Sequence, residues 1–361
     1  MMFERRHWLE QTGGGLMPKP EKMTSFTVAS VQAAPEFMDR EKSIAKACTL
    51  IRRAAKKGAR LIVFPEAFVP AYPDWVWTVP PGRAAMEREL YGELLDQSVA
   101  IPSEATDALC RAAKSAKAFV VMGVNEINSE ASGASIYNTL LYIDDRGQIM
   151  GRHRKLVPTS AERLVWAAGD GSTLEVYDTP LGKLGGLLCW ENYMPLARYT
   201  MYAWGTQIYV APTWDSSDGW LATLRHIARE GRCFVIGTCI AMRRDAIPDR
   251  YEFKSLYPAD QEWINVGNSA IVDPDGYFIA GPVEKKEEIL YAEIEPKKLR
   301  ESHYWFDVAG HYARPDVFQL SVSTDKRSMV QVDGGDTLSA DVNVKAPTRS
   351  TRKPRGTRKR A

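Results

Sequence analysis

The sequence predicts an α/β protein whose sheets mix parallel and antiparallel strands. Short, nearly continuous apolar runs alternate along the chain with segments whose apolar residues recur at helical spacing. Turn sequences at 145–147 (DRG) and 273–276 (DPDG) separate two pairs of runs, as they do between antiparallel strands. The continuous apolar character of the runs indicates strands that are buried on both faces.

The elements follow from this pattern in chain order. The first helix follows a strand and begins after Asp39, whose side chain can cap it. Its apolar residues between Ile44 and Ala55 lie on one face, and the helix ends at Gly58. Strands are expected at 26–33, 61–64, 119–124, 137–143, 184–189, 208–211, 233–240 and 269–272. Further helices are expected at 103–116, 194–203 and 220–231.

Composition and charge narrow the class of protein. Lys plus Arg number 47 and Asp plus Glu 45, and this net charge of +2 is not typical of a nucleic-acid-binding or membrane-surface protein. No apolar run reaches the length of about 18 residues that a membrane span requires. Residues 1–23 are predicted to be a flexible leader without a secretory h-region, and 326–361 a disordered basic tail. Residues 345–361 hold eight basic residues and no acid, so the rest of the chain is net acidic.

The five cysteines do not all have the same explanation. An odd number spread over a long chain favours a reducing compartment over a disulfide scaffold, and a cytoplasmic location is expected. Cys48, Cys110, Cys233 and Cys239 lie in apolar helix or strand patterns and are interpreted as small hydrophobic residues. Cys189 follows the apolar run LGGLL just before a predicted helix, whose N-terminus would lower the thiol pKa. It is a candidate nucleophile, with a buried structural cysteine as the alternative.

Three charged residues are further candidates. Glu66 directly follows a buried strand in VFPEAF, Lys155 lies in GRHRKLVPT, and Glu162 comes seven residues later. Taken singly, they could be an exposed loop glutamate, part of a basic surface loop and an acid at a helix start. A carboxylate between apolar neighbours is costly to bury without a partner, which makes Glu66 notable. The five histidines lack the close spacing of a metal site, and no CxxC, Walker, GxGxxG or GxSxG motif occurs.

Together these segments resemble the nitrilase branch of the carbon–nitrogen hydrolase superfamily, over roughly residues 26–318. The blocks VFPEAFVPAYP around Glu66, HRKLVPTSAERLVW around Lys155 and GGLLCWENYMPLAR around Cys189 occur in the order of the family. APTWDSSDGW, HIAREGRCFV and GHYARPDVF follow at 211–220, 226–235 and 310–318. CWEN and GHYARPDVF resemble nitrilases more than the amide-cleaving branches. The resemblance implies a four-layer αββα sandwich with two mixed β-sheets.

The resemblance also implies a reaction, the hydrolysis of an organic nitrile to the carboxylic acid and ammonia. Cys189 would form a thioimidate and then a thioester, with Glu66 as general base and acid and Lys155 stabilising the intermediate. Glu162, matching the second glutamate of the family, would orient Lys155 or the substrate. This chemistry needs no metal or organic cofactor. Candidates for substrate binding, each with core packing as the alternative, are Tyr72, Trp166, Trp190, Thr213 and Trp214.

The resemblance further implies a homo-oligomer, either a dimer or a larger spiral. The hydrolase domain is expected at 24–298, and 299–325 is expected to be a C-terminal extension whose aromatic residues between 301 and 318 form an oligomer contact. Other activities stay open, namely a thiol amidase or carbamoylase, or a cyanide-hydrolysing enzyme. A binding protein that has lost catalytic activity is a further alternative, but the presence of Glu66, Lys155 and Cys189 together argues against it. Nucleic-acid binding through the tail is a minor alternative, and no membrane partner is expected.

Overall fold

The computed structural model describes residues 24–327, in which two β-sheets pack face to face and helices cover both outer faces. The predicted αββα sandwich is therefore confirmed. The strands are β1 Phe26–Gln32, β2 Ala59–Val63, β3 Phe119–Ile127, β4 Ile136–Ile143, β5 Ile149–Arg154, β6 Tyr177–Thr179, β7 Gly182–Gly186, β8 Ile208–Thr213, β9 Phe234–Cys239, β10 Ala241–Arg243, β11 Trp263–Val272, β12 Phe278–Glu284 and β13 Glu288–Ile294. The helices are α1 Arg40–Lys56, α2 Trp75–Thr78, α3 Ala84–Gln97, α4 Glu104–Ala116, α5 Pro195–Ala203, α6 Asp218–Gly231 and α7 Pro296–Ser302. Short 3₁₀ helices lie at Ser160–Leu164, Gly171–Thr173, Cys189–Tyr193, Arg244–Ala246 and Glu252–Leu256.

Both sheets mix parallel and antiparallel strands, as the sequence predicts. The first has the order β13-β1-β2-β3-β4-β5, with β1, β2 and β3 parallel. The second has the order β10-β11-β9-β8-β7-β6, with β7, β8 and β9 parallel and β12 beside β11. The two predicted turns connect the antiparallel pairs β4–β5 and β11–β12.

The central strands, such as β8, are apolar on both faces because each sheet is covered on both sides. In β8, Ile208 and Val210 pack against the opposite sheet, whereas Tyr209 and Ala211 pack under the helices of their own side. This alternation follows from the two-residue period of a strand. Helices α1 and α4 cover the first sheet, and α5 and α6 cover the second.

Local capping follows the sequence at several helix starts. The Asp39 side chain accepts a hydrogen bond from the Lys42 N–H at the start of α1, as predicted. Ser217 caps α6 by accepting a bond from the Trp220 N–H. The pattern did not predict α3, because only Leu90 and Leu94 of its residues are buried and its apolar stripe is narrow. It also did not predict β5 (IMGRHR), which has the composition of a basic loop.

One predicted strand is wrong at its end. The strand expected at 184–189 is β7, which ends at Gly186, and Cys189 instead begins a 3₁₀ helix that precedes α5.

The predicted domain boundary at residue 298 falls inside α7, whose Leu299 packs into the core between the sheets. The predicted leader and the predicted tail from residue 328 onward lie outside the described residues. Within 24–327, no helix is both long and apolar enough to cross a membrane.

Candidate active site

Glu66 lies just beyond the end of β2 and is fully buried, so it is not an exposed loop glutamate. A glycine in the neighbouring strand β3 makes room for the backbone on either side of it. A Cβ on Gly123 would lie 2.1 Å from the Pro65 carbonyl oxygen and 2.6 Å from the Ala67 nitrogen. Because these are backbone atoms, any side chain at position 123 would displace the segment that carries Glu66.

Lys155 directly follows β5 and is also fully buried. Its Nζ donates to Oε1 of Glu66 at 2.9 Å and to Oε2 of Glu162 at 2.8 Å. The charge of the preceding Arg154 is compensated by Glu126, with Nη2 of the arginine 2.6 Å from Oε1 of the glutamate. The basic run is therefore compensated inside the protein, and the alternative of a basic surface loop is excluded for Lys155.

Glu162 connects the lysine to an aromatic side chain. It lies in the 3₁₀ helix Ser160–Leu164, where its Oε2 also accepts a bond from the Thr159 N–H at 2.7 Å. The Tyr72 hydroxyl donates to Oε1 of Glu162 at 2.7 Å. Both oxygens of Glu162 are thus engaged, which suits a residue that holds Lys155 in place.

Cys189 begins its 3₁₀ helix with a φ of 50°, in the left-handed region that a β-carbon disfavours. Its side chain is buried, and the Thr213 hydroxyl donates to Sγ at 3.2 Å. That hydroxyl accepts a bond from the Asp215 N–H at 2.9 Å, so its proton is available for the sulfur. Asn192 secures the turn by donating to the carbonyl oxygen of Cys189 at 2.9 Å.

The electrostatic environment corrects the expectation of a lowered thiol pKa. Burial, followed by the negative charge of Glu66, raises the pKa of the Cys189 thiol, and Lys155 only partly opposes this. Burial also raises the pKa of Glu66, although the charge of Lys155 works against the rise. Burial would lower the pKa of Lys155, but the negative charges of Glu66 and Glu162 outweigh it and raise that pKa. The resting site therefore holds a neutral thiol beside a cationic lysine.

The same cluster contains groups of the kind that ligate metal ions. One atom each from Glu66, Glu162 and Cys189 lie within 4.8 Å of one another. However, the ammonium of Lys155 already lies within hydrogen-bond distance of both carboxylates. A resident lysine cation therefore occupies the position between the carboxylates where a metal ion would bind.

Four of the five predicted substrate-binding residues gather near this cluster. Tyr72 stacks on Trp214 with ring centroids 4.3 Å apart, and the Trp166 ring meets the Tyr72 ring edge-on at 5.4 Å. Thr213 contacts the sulfur of Cys189. The Trp190 side chain differs, being 49% exposed and donating from Nε1 to Asp215 at 2.8 Å.

Sequence reasoning missed three polar residues at the site. Asn138 donates from Nδ2 to Oε1 of Glu66 at 2.7 Å, and its polar side chain in the apolar run YNTLLYI was the available signal. His153 and Glu191 form a buried ion pair, with Nε2 2.9 Å from Oε2. Both lie inside the blocks around Lys155 and Cys189, two residues from the candidate lysine and from the candidate nucleophile.

The chain is similar in sequence and in fold to known carbon–nitrogen hydrolases. The sequence model of the carbon–nitrogen hydrolase family matches residues 27–304. An aliphatic nitrilase of Sinorhizobium fredii is 43% identical over 310 residues, which are 85% of this chain and 99% of that protein. A bifunctional nitrilase/nitrile hydratase of Nicotiana tabacum is 41% identical over 299 residues, 81% of this chain and 84% of the relative. The crystal structure of a carbon–nitrogen hydrolase from Helicobacter pylori matches the fold with a TM-score of 0.64 at 22% identity, covering 82% of this chain and 97% of that one.

Proposed function

The chain belongs to the nitrilase branch of the carbon–nitrogen hydrolase family, and we propose that it hydrolyses organic nitriles to carboxylic acids and ammonia. The observation that carries the proposal is the buried meeting of a thiol, a carboxylate and an ammonium at Cys189, Glu66 and Lys155. These groups supply a nucleophile, a proton carrier and a fixed positive charge, which together are what addition to a nitrile requires.

The first step is attack of the sulfur on the nitrile carbon. Glu66 takes the thiol proton on Oε2, which has no hydrogen-bond partner within residues 24–327. Because the pKa of Glu66 is raised towards neutral pH, its carboxyl group can both accept and donate a proton efficiently. The C–S bond forms as the carbon–nitrogen triple bond opens, and the nitrogen receives the proton from Glu66. The product of this step is a thioimidate on Cys189.

Lys155 and Thr213 stabilise charge during that attack. The Lys155 ammonium is fixed by Glu66 and Glu162, so it needs no reorganisation as negative charge develops on the nitrile nitrogen. The Thr213 hydroxyl stabilises the sulfur in its thiolate form. Glu162 acts through Lys155 as a positioning residue.

Two water molecules complete the reaction. Glu66 deprotonates the first water, which adds to the thioimidate carbon, and the resulting tetrahedral species expels ammonia to leave a thioester. A second water cleaves the C–S bond, releasing the carboxylic acid and returning the proton to the sulfur. If the tetrahedral species expels the thiol instead, the product is an amide.

Ammonia release from a substrate panel tests the function. The panel contains aliphatic, aromatic and arylacetonitriles, together with the matching amides, a carbamoyl compound and cyanide, and amide product is measured in parallel. We expect turnover of nitriles that is abolished by Cys189→Ala and retained by the matched control Cys110→Ala on α4. Turnover of amides without nitriles, or full activity of Cys189→Ala, would reject the proposal.

We also propose that the protein self-associates through the segment 301–318. Tyr304, Trp305, Tyr312 and Phe318 are each more than half exposed there, and exposed aromatic residues are enriched at interfaces. Light scattering coupled to size-exclusion chromatography tests this, and a monomeric active species would contradict it. A cytoplasmic location stays a prediction from the cysteine pattern.

A further inference from the structure

A single carboxylate connects the segment of the lysine to the segment of the nucleophile. Oε1 of Glu191 accepts a bond from the Leu156 N–H at 2.7 Å, and Oε2 accepts one from the Leu188 N–H at 2.9 Å. Leu156 follows Lys155, and Leu188 precedes Cys189. The two segments are far apart in sequence, and the Glu191 carboxylate holds a backbone group of each next to its catalytic residue.

His153 completes this arrangement from the lysine side. Its Nε2 lies 2.9 Å from Oε2 and 3.1 Å from Oε1 of Glu191, and its Nδ1 lies 3.2 Å from the Thr173 carbonyl oxygen. Carbonyl and carboxylate oxygens only accept hydrogen bonds, so a proton on each ring nitrogen would serve both contacts, and the Thr173 hydroxyl lies 3.5 Å from Nδ1 as a further partner. Burial lowers the pKa of His153, but the negative charge of Glu191 outweighs it and raises that pKa, and the two side chains form a pair that is almost completely buried.

Neither residue of this pair bonds to Glu66, Lys155 or Cys189 through its side chain among the described hydrogen bonds. Their influence on the reaction must pass through the backbone at Leu156 and Leu188. Such influence matters because Lys155 has to lie close to the nitrogen of a substrate that is bonded to Cys189. A misplacement of about 1 Å in an active site can cost roughly 100-fold in rate.

We propose that His153 and Glu191 are positioning residues that set the separation between Lys155 Nζ and Cys189 Sγ. This inference rests on the proposed function only in taking Lys155 and Cys189 as the reacting pair. The alternative is a pair that stabilises the fold without affecting the geometry of the reaction.

The test uses Glu191→Gln and His153→Gln in the full chain, with kcat expressed per intact Cys189 thiol, counted by mass spectrometry of the Cys189 peptide after complete alkylation. Glutamine at position 191 keeps the shape of the side chain but replaces one acceptor oxygen with an NH₂ group. This NH₂ group would face another donor, either a backbone N–H or His153, so one hydrogen bond would be lost. We expect kcat to fall about 10- to 100-fold, with KM changing by less than about threefold. Glu191→Asp retains the charge and should recover part of kcat. The double variant should lose little more than the worse single variant, because the two residues act as one unit.

Asp273→Asn is the matched control. Asp273 is a buried carboxylate that accepts bonds from two backbone N–H groups and lies near Lys298, but in the turn between β11 and β12. We expect this variant to lose stability and keep its kcat. If Glu191→Gln and His153→Gln likewise keep kcat per intact Cys189 thiol within twofold of wild type, the positioning role is overturned.

This design distinguishes a failure of the proposed nitrile hydrolysis from a failure of the positioning role of His153 and Glu191. If the wild-type chain hydrolyses amides and not nitriles, the proposed function is rejected, and the positioning role is read from kcat on the amide. If one variant does not fold, the other variant and Glu191→Asp decide the outcome by the same criterion.

Discussion

Lys155 Nζ donates to only one oxygen of Glu66, Oε1 at 2.9 Å, and leaves Oε2 without a hydrogen-bond partner within residues 24–327. Asn138 donates to the same Oε1 at 2.7 Å. The carboxylate is thus anchored through one oxygen, and the other is available to exchange a proton with the thiol, the substrate or water. A buried polar atom without a partner is costly, which is consistent with a site kept for chemistry.

Replacing Glu66 by Gln should abolish most activity without unfolding the protein. The amide retains the shape of the side chain but cannot accept the thiol proton, and general acid–base catalysis contributes about 10²- to 10⁴-fold. We expect kcat for ammonia release to fall within or beyond that range, with an unchanged circular dichroism spectrum. Glu89→Gln on the exposed side of α3 is the control and should be fully active. Substantial turnover by Glu66→Gln would remove Glu66 from the mechanism.

Alkylation of Cys189 should report a thiol that is protonated at neutral pH. Because burial and the Glu66 charge raise the pKa of the thiol, its thiolate fraction increases only above the ordinary thiol pKa of about 8.5. The rate of iodoacetamide labelling, followed by mass spectrometry of the peptide containing Cys189, should keep rising with pH beyond that value. In Glu66→Gln the curve should shift to lower pH, because a negative neighbour has been removed. A plateau near pH 6 in the wild-type protein is the outcome that contradicts this.

Thr213→Val should weaken the nucleophile. The variant removes the hydroxyl that donates to Sγ, and this bond stabilises the thiolate, so the thiol pKa should rise further. We expect kcat and the alkylation rate at neutral pH to fall by about tenfold, the size expected for loss of one hydrogen bond to a charged group. Thr213→Ser keeps the hydroxyl and should retain most activity. Equal rates for the Val and Ser variants would show that the hydroxyl does not act on the sulfur.

Gly123→Ala should lower both stability and activity. The added Cβ would meet the backbone of Pro65 and Ala67 and push the Glu66 segment away from Lys155. Overpacking of this kind costs about 1–3 kcal/mol, measurable as a lower Tm, and kcat should fall with it. The matched control is Gly92→Ala in α3, where a Cβ meets nothing within 4 Å and where alanine favours the helix. A fully active Gly123→Ala would mean that the segment can move without harm.

Stability should depend on pH through His153. Burial lowers the pKa of His153, but the charge and hydrogen bonds of Glu191 outweigh it and raise the pKa above its ordinary value of about 6.5. A raised folded-state pKa contributes stability that is complete below the unfolded-state pKa and is lost as pH rises through the folded-state pKa. Urea titrations from pH 6 to 9 would give the free energy of unfolding of the wild type and of His153→Gln. The wild type should be the more stable of the two at low pH, and this difference should become smaller as the pH rises. A difference that grows with pH would contradict the charged pair.

The sequence by itself determined the fold class, the mixed sheets and the order of the catalytic blocks. These features are encoded locally, in the apolar alternation around residues such as Val210, in the turn at 145–147 and in the motifs that surround Glu66, Lys155 and Cys189. Asp39 could be identified as a helix cap for the same reason, since a cap depends on its immediate neighbours.

Only the tertiary structure decided how the candidate residues act. Glu66, Asn138 and Lys155 come from separate segments, and their burial depends on close approaches such as that of β3 to the Glu66 segment. The thiol pKa shows the difference most clearly. The local helix start suggested a lowered value, whereas burial and the charge of Glu66, which lies far away in sequence, raise it. Desolvation and charge pairing depend on three-dimensional neighbours, so the sequence identified the candidate groups, and the fold determined their geometry and the direction in which their pKa values shift.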